Sequence, residues 1–380
     1  MRILVTGGGT GGHVAPAIAV IQELRKITPG IQIRYVGSSA GIESKLAAEN
    51  GVDFVGVATG KLRRSKNPLK LLSAANIKDG FKVPQGVAQA MKAVKAFKPD
   101  AVLATGGYVC VPTVIAAALQ KIPILTHEQT VTIGLANRIA GRYATKIALT
   151  FENSLAEMPE ALKKKAFVTG NPLREVIFNG DRTHGAQHFG FSEADDTLPC
   201  VYITGGAQGS RIINNAIKDA LPELLKLTRV LHQCGTNDID SLTAHHKTLS
   251  PMEQSRWQVR AFIESAEIGD AYTLCDVLIG RAGAGTVTEA CALGKPAIYI
   301  PLEPASGDEQ NKNAKRSAEA GGAVVVKQAE CRAETILAAL KPLLTEDAAR
   351  KTMGEKNRQL ATPNAAGILA ETVLALAEGK

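Results

Sequence analysis

The sequence predicts an α/β protein built from two doubly wound, parallel-sheet domains in tandem. Three observations carry that prediction. Short apolar runs of strand length alternate with helical patterns along the whole chain, the rhythm of a parallel sheet covered on both faces. The two halves open alike, Ile3-Leu4-Val5-Thr6-Gly7-Gly8 and Val201-Tyr202-Ile203-Thr204-Gly205-Gly206, each a strand feeding a glycine-rich turn. Finally, 380 residues suit two cores better than one, because domains usually run about 100–200 residues.

In the first half, strands are expected at Arg2–Val5, Ile31–Val36, Phe54–Val57, Ala101–Ala104, Ile122–Leu125 and Ile147–Thr150. Helices are expected between them at Ala15–Lys26, Ile42–Asn50, Gln85–Phe97 and Pro112–Gln120. The second half repeats the scheme, with strands at Val201–Thr204, Val230–Gln233, Val277–Gly280, Ala297–Pro301 and Ala323–Val326 and helices at Arg211–Leu227, Thr286–Leu293 and Asn311–Ala320. Gly170 and the Asn171-Pro172 step break regular structure. The expected domains are therefore 1–167 and 168–362, with a C-terminal helical stretch 363–380 able to pack back on the first. The ligand is expected in a cleft between the sheets, since open α/β sheets bind at the carboxyl ends of their strands.

A composition of 45% hydrophobic and 21% charged residues excludes a disordered chain, which lacks the apolar side chains to offset its ordering entropy. The longest apolar stretch, Val109 to Leu119, is shorter than the roughly 18 residues a membrane span needs, and Met1 runs straight into a strand, which predicts a cytosolic chain. Six scattered cysteines with no C-x-x-C read as small hydrophobes rather than disulfides or metal ligands. Only 4% aromatics argues against nucleic-acid binding through stacking platforms.

The charge is uneven: residues 1–165 carry 22 Lys+Arg against 10 Asp+Glu. Most of that excess lies in residues 61–98, where ten basic side chains face only Asp79 and are interleaved with Leu62, Leu69, Leu71, Leu72, Ile77 and Phe81. Basic and apolar groups so mixed suit an anionic membrane surface; a solvated basic loop is the plainer reading.

Gly7-Gly8-Gly9-Thr10-Gly11-Gly12-His13 contains a formal G-x-G-x-x-G, yet the following strand ends Val36-Gly37-Ser38-Ser39 without the acid that a dinucleotide ribose requires. An NAD-dependent oxidoreductase is therefore disfavoured, and what remains is a helix N-terminus offering amides to a phosphate or polar ligand. Gly205-Gly206-Ala207-Gln208-Gly209-Ser210 makes a second such loop, and Gly280-Arg281-Ala282-Gly283-Ala284-Gly285-Thr286 a third, opening a helix expected to carry Glu289 on its first turn. A carboxylate placed there can take both ribose hydroxyls while the amides face phosphates. Two polar clusters, Thr126-His127-Glu128-Gln129-Thr130 and Asp308-Glu309-Gln310-Asn311-Lys312-Asn313, present the donors and acceptors that read sugar hydroxyls. Asp238-Ile239-Asp240 fits a metal-binding D-x-D pattern but follows Gly235-Thr236-Asn237 in what reads as a turn and helix cap.

In this order, G-G-T-G-G-H-x-x-P at Gly8–Pro16, Gly106-Gly107-Tyr108, His127-Glu128-Gln129, Asn171-Pro172-Leu173-Arg174 and the second and third glycine loops resemble the MurG family of bacterial peptidoglycan glycosyltransferases. The resemblance covers nearly the whole chain. It implies a GT-B architecture of two Rossmann-like domains, and an inverting transfer of N-acetylglucosamine from UDP-N-acetylglucosamine to lipid I without metal or other cofactor. It also implies peripheral attachment at the cytoplasmic face of the membrane through the 61–98 segment; nucleic acid, a third reading of the same charge, is accompanied by no recognition motif and is not expected as a partner.

The resemblance further implies His13 as candidate base, with Glu128 beside it in the catalytic set. Substrate contacts are implied for Thr10, Gly11, Gly12, Thr130, Asn137, Arg174, Ala207, Gln208, Gly209, Ile263, Arg281, Ala284, Gly285, Thr286, Glu289, Gln310 and Asn313. Of these, Arg174 would steady the diphosphate, Glu289 the ribose, backbone near Ile263 the uracil, and Gln310 with Asn313 the sugar. Two positions depart from the family pattern: Thr130 where it usually has Asn, and Ala207 where it usually has Ser. Those departures keep open a related transferase with a different glycolipid acceptor, or a UDP-sugar-binding homologue without catalysis.

Overall fold

The structure, a computed structural model, describes residues 1–39, 41–60, 74–304 and 306–379. It divides into two compact units, Met1–Arg174 with Thr362–Lys380, and Glu175–Ala361.

The first unit holds a seven-stranded, wholly parallel sheet of β1 (Arg2–Thr6), β2 (Gln32–Ser38), β3 (Asp53–Val57), β4 (Ala101–Ala104), β5 (Ile124–Glu128), β6 (Lys146–Leu149) and β7 (Ala166–Val168), in the order β3-β2-β1-β4-β5-β6-β7. The reversal of direction between β1 and β4 is the switch point at which such sheets hold ligands, and the first glycine loop leaves β1 there. β1, β4 and β5 are buried almost throughout, as strands covered on both faces must be. One face packs Val14, Ala17, Ile18 and Ile21 of the helix Gly11–Ile27 with Leu369, Val373 and Leu376 of the C-terminal helix Ala365–Ala377. The other packs Val94 and Phe97 with Val114 and Ala117.

The second unit repeats the design in six parallel strands: β8 (Cys200–Thr204), β9 (Arg229–Gln233), β10 (Trp257–Arg260), β11 (Val277–Gly280), β12 (Ala297–Tyr299) and β13 (Ala323–Val325), ordered β10-β9-β8-β11-β12-β13. Its core joins Val201, Ile203 and Ile279 with Ile217 and Leu221 of the helix Arg211–Leu224 and Trp257.

Three expectations need correction. The joint expected at 167/168 falls inside β7, whose pairing with β6 (Ile147↔Ala166, Leu149↔Val168) holds it in the first sheet, so that unit runs on to Arg174. β7 and β10 are missing from the strands read in the sequence, being only three and four residues long and largely half-exposed. The third helix of interest begins at Ala284 rather than Thr286, which moves Glu289 from its first turn to its second. All six cysteines are free. Of the basic segment, residues 61–73 lie outside the described residues; Lys82, at 2.8 Å from Asp79, lies on the helix Ala74–Phe97.

Candidate functional site

In the first unit the strand ends build the site. Side chains alternate across a strand, so β5 and its exit send Thr126 and Glu128 to one side and His127 and Gln129 to the other. On the first side, Glu128 Oε1 accepts from the Thr130 backbone N–H at 3.1 Å, and Oε2 accepts from the Gly134 N–H and Asn137 Nδ2, both at 2.9 Å. Glu128 is 3% exposed. Glu128, expected in the catalytic set, is therefore the pin that holds the 128–137 loop, and both its oxygens are occupied. Asn137 is buried too, donating also to the His127 carbonyl at 3.1 Å, so its amide is spent on the same loop. Thr130 is half-buried, its hydroxyl 2.7 Å from the Thr132 carbonyl.

On the other side, His127 and Gln129 run beneath the first glycine loop toward His13. Gln129 Nε2 donates to the Thr105 carbonyl at 2.5 Å and lies 3.1 Å from His127 Nδ1. Gln129 Oε1 lies 2.8 Å from His13 Nδ1. His127 is fully buried, and burial pushes its pKa down to about 4. His13 is half-buried in the first turn of its helix. Its neighbour Gly107 has φ +77 and could not carry a side chain, because a Cβ there would sit 2.0 Å from the Gly8 carbonyl oxygen and 3.0 Å from the His13 ring. Thr10, Gly11 and Gly12 are exposed, and Thr10 makes no side-chain cap, which leaves helix N-terminal amides for a polar ligand.

Glu43 is a residue whose part the sequence did not disclose. It is fully buried, and its Oε1 accepts the Gly9 backbone N–H at 2.6 Å. A carboxylate thus already occupies one amide of the formal G-x-G-x-x-G and repels a phosphate at that end of the loop.

In the second unit, three loops converge at the carboxyl ends of β8, β9 and β11. Ala207 and Gln208 are exposed at the tip of the second glycine loop. Gly209 (φ +74) passes so near β9 that a Cβ would lie 1.9 Å from the Cys234 carbonyl oxygen. Arg281, expected on the substrate, points inward instead: it donates to the Ile300 and Pro301 carbonyls at 3.0 and 3.1 Å and to Ser210 Oγ at 2.8 Å. Burial lowers its pKa. The guanidinium therefore ties the second loop to the end of β12 and draws the Ser210 hydroxyl away from its helix, which has no side-chain cap.

The helix Ala284–Leu293 likewise starts from Gly283 without a side-chain cap, and Gly285 and Thr286 stay half-buried around its N-terminus while Ala284 is buried. Such a terminus suits an anion. One turn on, Glu289 Oε2 accepts the Tyr272 hydroxyl at 2.7 Å; Tyr272 in turn meets Tyr202 edge-on at 5.7 Å. Nothing in the spacing of Tyr272 and Glu289 announces this pair. Ile263 is buried, with its N–H on Gln233 Oε1 at 3.2 Å.

Asn313, expected to face the sugar, is fully buried with its amide on the Ala282 carbonyl at 3.0 Å; it anchors its helix to the third glycine turn. Gln310 is half-buried, and its Oε1 accepts the Leu302 N–H at 2.9 Å. Asp238 heads the helix Ile239–His246, but its carboxylate is engaged by Arg211 Nε at 3.2 Å and Asn214 Nδ2 at 2.8 Å rather than paired with Asp240. Arg174 is half-buried at the end of the first unit.

Comparison with known proteins follows the same division. Residues 3–149 match the glycosyltransferase family 28 N-terminal domain and residues 200–368 the family 28 C-terminal domain. The chain is 36% identical over 375 residues, 98% of its length and 99% of the relative's, to the UDP-N-acetylglucosamine–N-acetylmuramyl-(pentapeptide) pyrophosphoryl-undecaprenol N-acetylglucosamine transferase of Lachnoclostridium phytofermentans. It is 36% identical to the enzyme of the same name from Clostridium botulinum, over 90% of each chain. Among solved structures, Acinetobacter baumannii MurG superposes with a TM-score of 0.70 at 28% identity, covering 98% of this chain and 99% of that one.

Proposed function

The chain belongs to glycosyltransferase family 28, and from that premise we propose that it moves N-acetylglucosamine from UDP-N-acetylglucosamine to the N-acetylmuramyl sugar of lipid I, giving lipid II. The observation that carries this reading is 36% identity running over 98% of this chain and 99% of a transferase of that name, so the likeness spans both units.

The second unit takes the donor. The uncapped start of the helix Ala284–Leu293 meets the diphosphate with amide dipoles, as an oxyanion site does. Those groups take the place of a metal ion, and the reaction runs without one. Glu289, steadied by Tyr272, accepts from the ribose hydroxyls, and the Ile263 backbone meets the uracil. Ala207, Gln208 and Gly209 line the exposed second loop. The first unit takes the acceptor at Thr10 to His13. His13 removes the proton of the attacking hydroxyl, a role that suits an imidazole near neutral pH, and the attack inverts the anomeric carbon as UDP leaves.

No helix among the described residues is long and apolar enough to cross a membrane. The basic and apolar side chains of residues 61–98 suit an anionic lipid surface and hold the enzyme at the cytoplasmic face, where it reaches a lipid-anchored acceptor. The direct test is purified protein with UDP-N-acetylglucosamine and a lipid I analogue. Release of UDP with a product heavier by one N-acetylhexosamine supports the reading; no turnover, or turnover only with another glycolipid, overturns it.

A further inference from the structure

A hydrogen-bonded chain beneath the first glycine loop has its polarity fixed at two points by backbone carbonyl oxygens, which only accept. At the buried end, His127 Nε2 lies 3.0 Å from the Gly170 carbonyl oxygen, so that nitrogen carries the proton. The Thr150 hydroxyl, 3.3 Å from the same nitrogen, donates to the Glu128 carbonyl at 3.0 Å and offers His127 only a lone pair. A neutral ring protonated at Nε2 accepts at Nδ1, and there it meets Gln129 Nε2 at 3.1 Å. The orientation of Gln129 is fixed independently by the Thr105 carbonyl oxygen, 2.5 Å from the same Nε2.

The amide oxygen of Gln129 is thereby turned to His13 Nδ1 at 2.8 Å, and the Thr105 carbonyl oxygen lies 3.2 Å from that nitrogen as well. With two acceptors against it, Nδ1 holds the proton of neutral His13. The lone pair is left on Nε2, which makes no hydrogen bond among the described residues. Both histidines thus have assigned tautomers, and they are opposite.

We propose that Gln129 and His127 are positioning residues that hold His13 as the Nδ1–H tautomer, so that Nε2 is the nitrogen that receives the acceptor proton. The inference rests on the reading of His13 as base. In the transfer, the acceptor O–H breaks and its proton goes to Nε2. The oxygen bonds the anomeric carbon, and the bond to the diphosphate breaks with its electron pair leaving on UDP. The imidazolium so formed keeps Nδ1–H on Gln129 Oε1 and the Thr105 carbonyl, and returns its extra proton to solvent. His127 is itself fully buried and touches no substrate.

The test uses the full-length protein labelled with 15N-histidine, with His13 assigned by comparison with His13→Gln. The expected spectrum shows a pyrrole-like Nδ1 and a pyridine-like Nε2 for His13 without substrate; a pyrrole-like Nε2 overturns the proposal whatever the enzyme's activity. Gln129→Leu is expected to draw both His13 signals toward averaged positions and to lower kcat about tenfold to a hundredfold, with KM for both substrates within about twofold. Gln129→Glu keeps an acceptor on His13 Nδ1 and adds a negative charge beside it, so the acid limb of the kcat/KM profile is expected to move to higher pH. Unchanged shifts and unchanged kcat in Gln129→Leu overturn the proposal. If the wild-type spectrum is as expected but His13→Gln retains full turnover, the base assignment falls and with it the catalytic half of the proposal, while the tautomer lock is upheld.

Discussion

The Tyr272 hydroxyl donates to Glu289 Oε2 at 2.7 Å, and the two residues lie 17 positions apart on neighbouring helices of the second unit. The contact leaves the carboxylate in one orientation, with burial pushing the Tyr272 pKa up so that the hydroxyl stays protonated. A hydrogen bond to a charged group is worth about 1.5–3 kcal/mol. Tyr272→Phe, which removes only the oxygen, is therefore expected to raise the dissociation constant for UDP by about tenfold, and Glu289→Ala by more. Calorimetric titration with UDP checks both; equal affinity in Tyr272→Phe and wild type would remove the tyrosine from the account, and equal affinity in Glu289→Ala would show that the ribose does not use this carboxylate.

Arg281 makes three hydrogen bonds, to two carbonyls and to Ser210 Oγ. Losing them strands buried acceptors, so Arg281→Ala is expected to cost about 2–4 kcal/mol of unfolding free energy. Urea titration measures it. A variant as stable as wild type but unable to bind UDP would return Arg281 to the substrate contacts.

Two buried histidines make the fold sensitive to acid. Burial lowers the pKa of His127 to about 4 and that of His232 to about 3, against an ordinary value of 6.5. Both bind a proton more readily when unfolded, so their stabilising effect is complete above pH 6.5. It is lost as pH falls, down to about 4 for His127 and about 3 for His232. Urea midpoints measured from pH 7.5 to 4 should fall most steeply below pH 6.5. His127→Gln should flatten part of that slope; a slope identical in the variant would remove His127 from the account.

Chelation distinguishes amide dipoles from a metal at the diphosphate. Turnover is expected to be unchanged, within about twofold, after dialysis against EDTA, since the positive field of a helix N-terminus is built into the chain. Loss of turnover restored by magnesium or manganese would reverse that assignment.

Membrane attachment through residues 61–98 is expected to depend on salt. Binding to vesicles containing anionic phospholipid should weaken steeply between low and high ionic strength, because exposed charges are screened over about 10 Å at 0.1 M. Equal binding to neutral vesicles would indicate that the apolar side chains act without the lysines and arginines.

Most strands of the second domain's sheet were legible in sequence because they are short apolar runs followed by turn residues, as in Val277–Gly280, whereas the half-exposed β10 was not; the three glycine loops mark their own positions. Local pattern therefore determined the two α/β domains, the sites of the loops and the family they belong to. It could not say which polar side chain in a motif faces ligand and which faces the chain. Glu128, Asn137, Arg281 and Asn313 belong to stretches that read as facing ligand, yet each is buried and hydrogen-bonds a backbone group of the chain itself. Only tertiary structure decided that, because a buried polar atom must find a partner wherever the fold supplies one. The same holds for the tautomer of His13, set by carbonyls at Thr105 and Gly170 that lie 92 and 157 residues further along the chain.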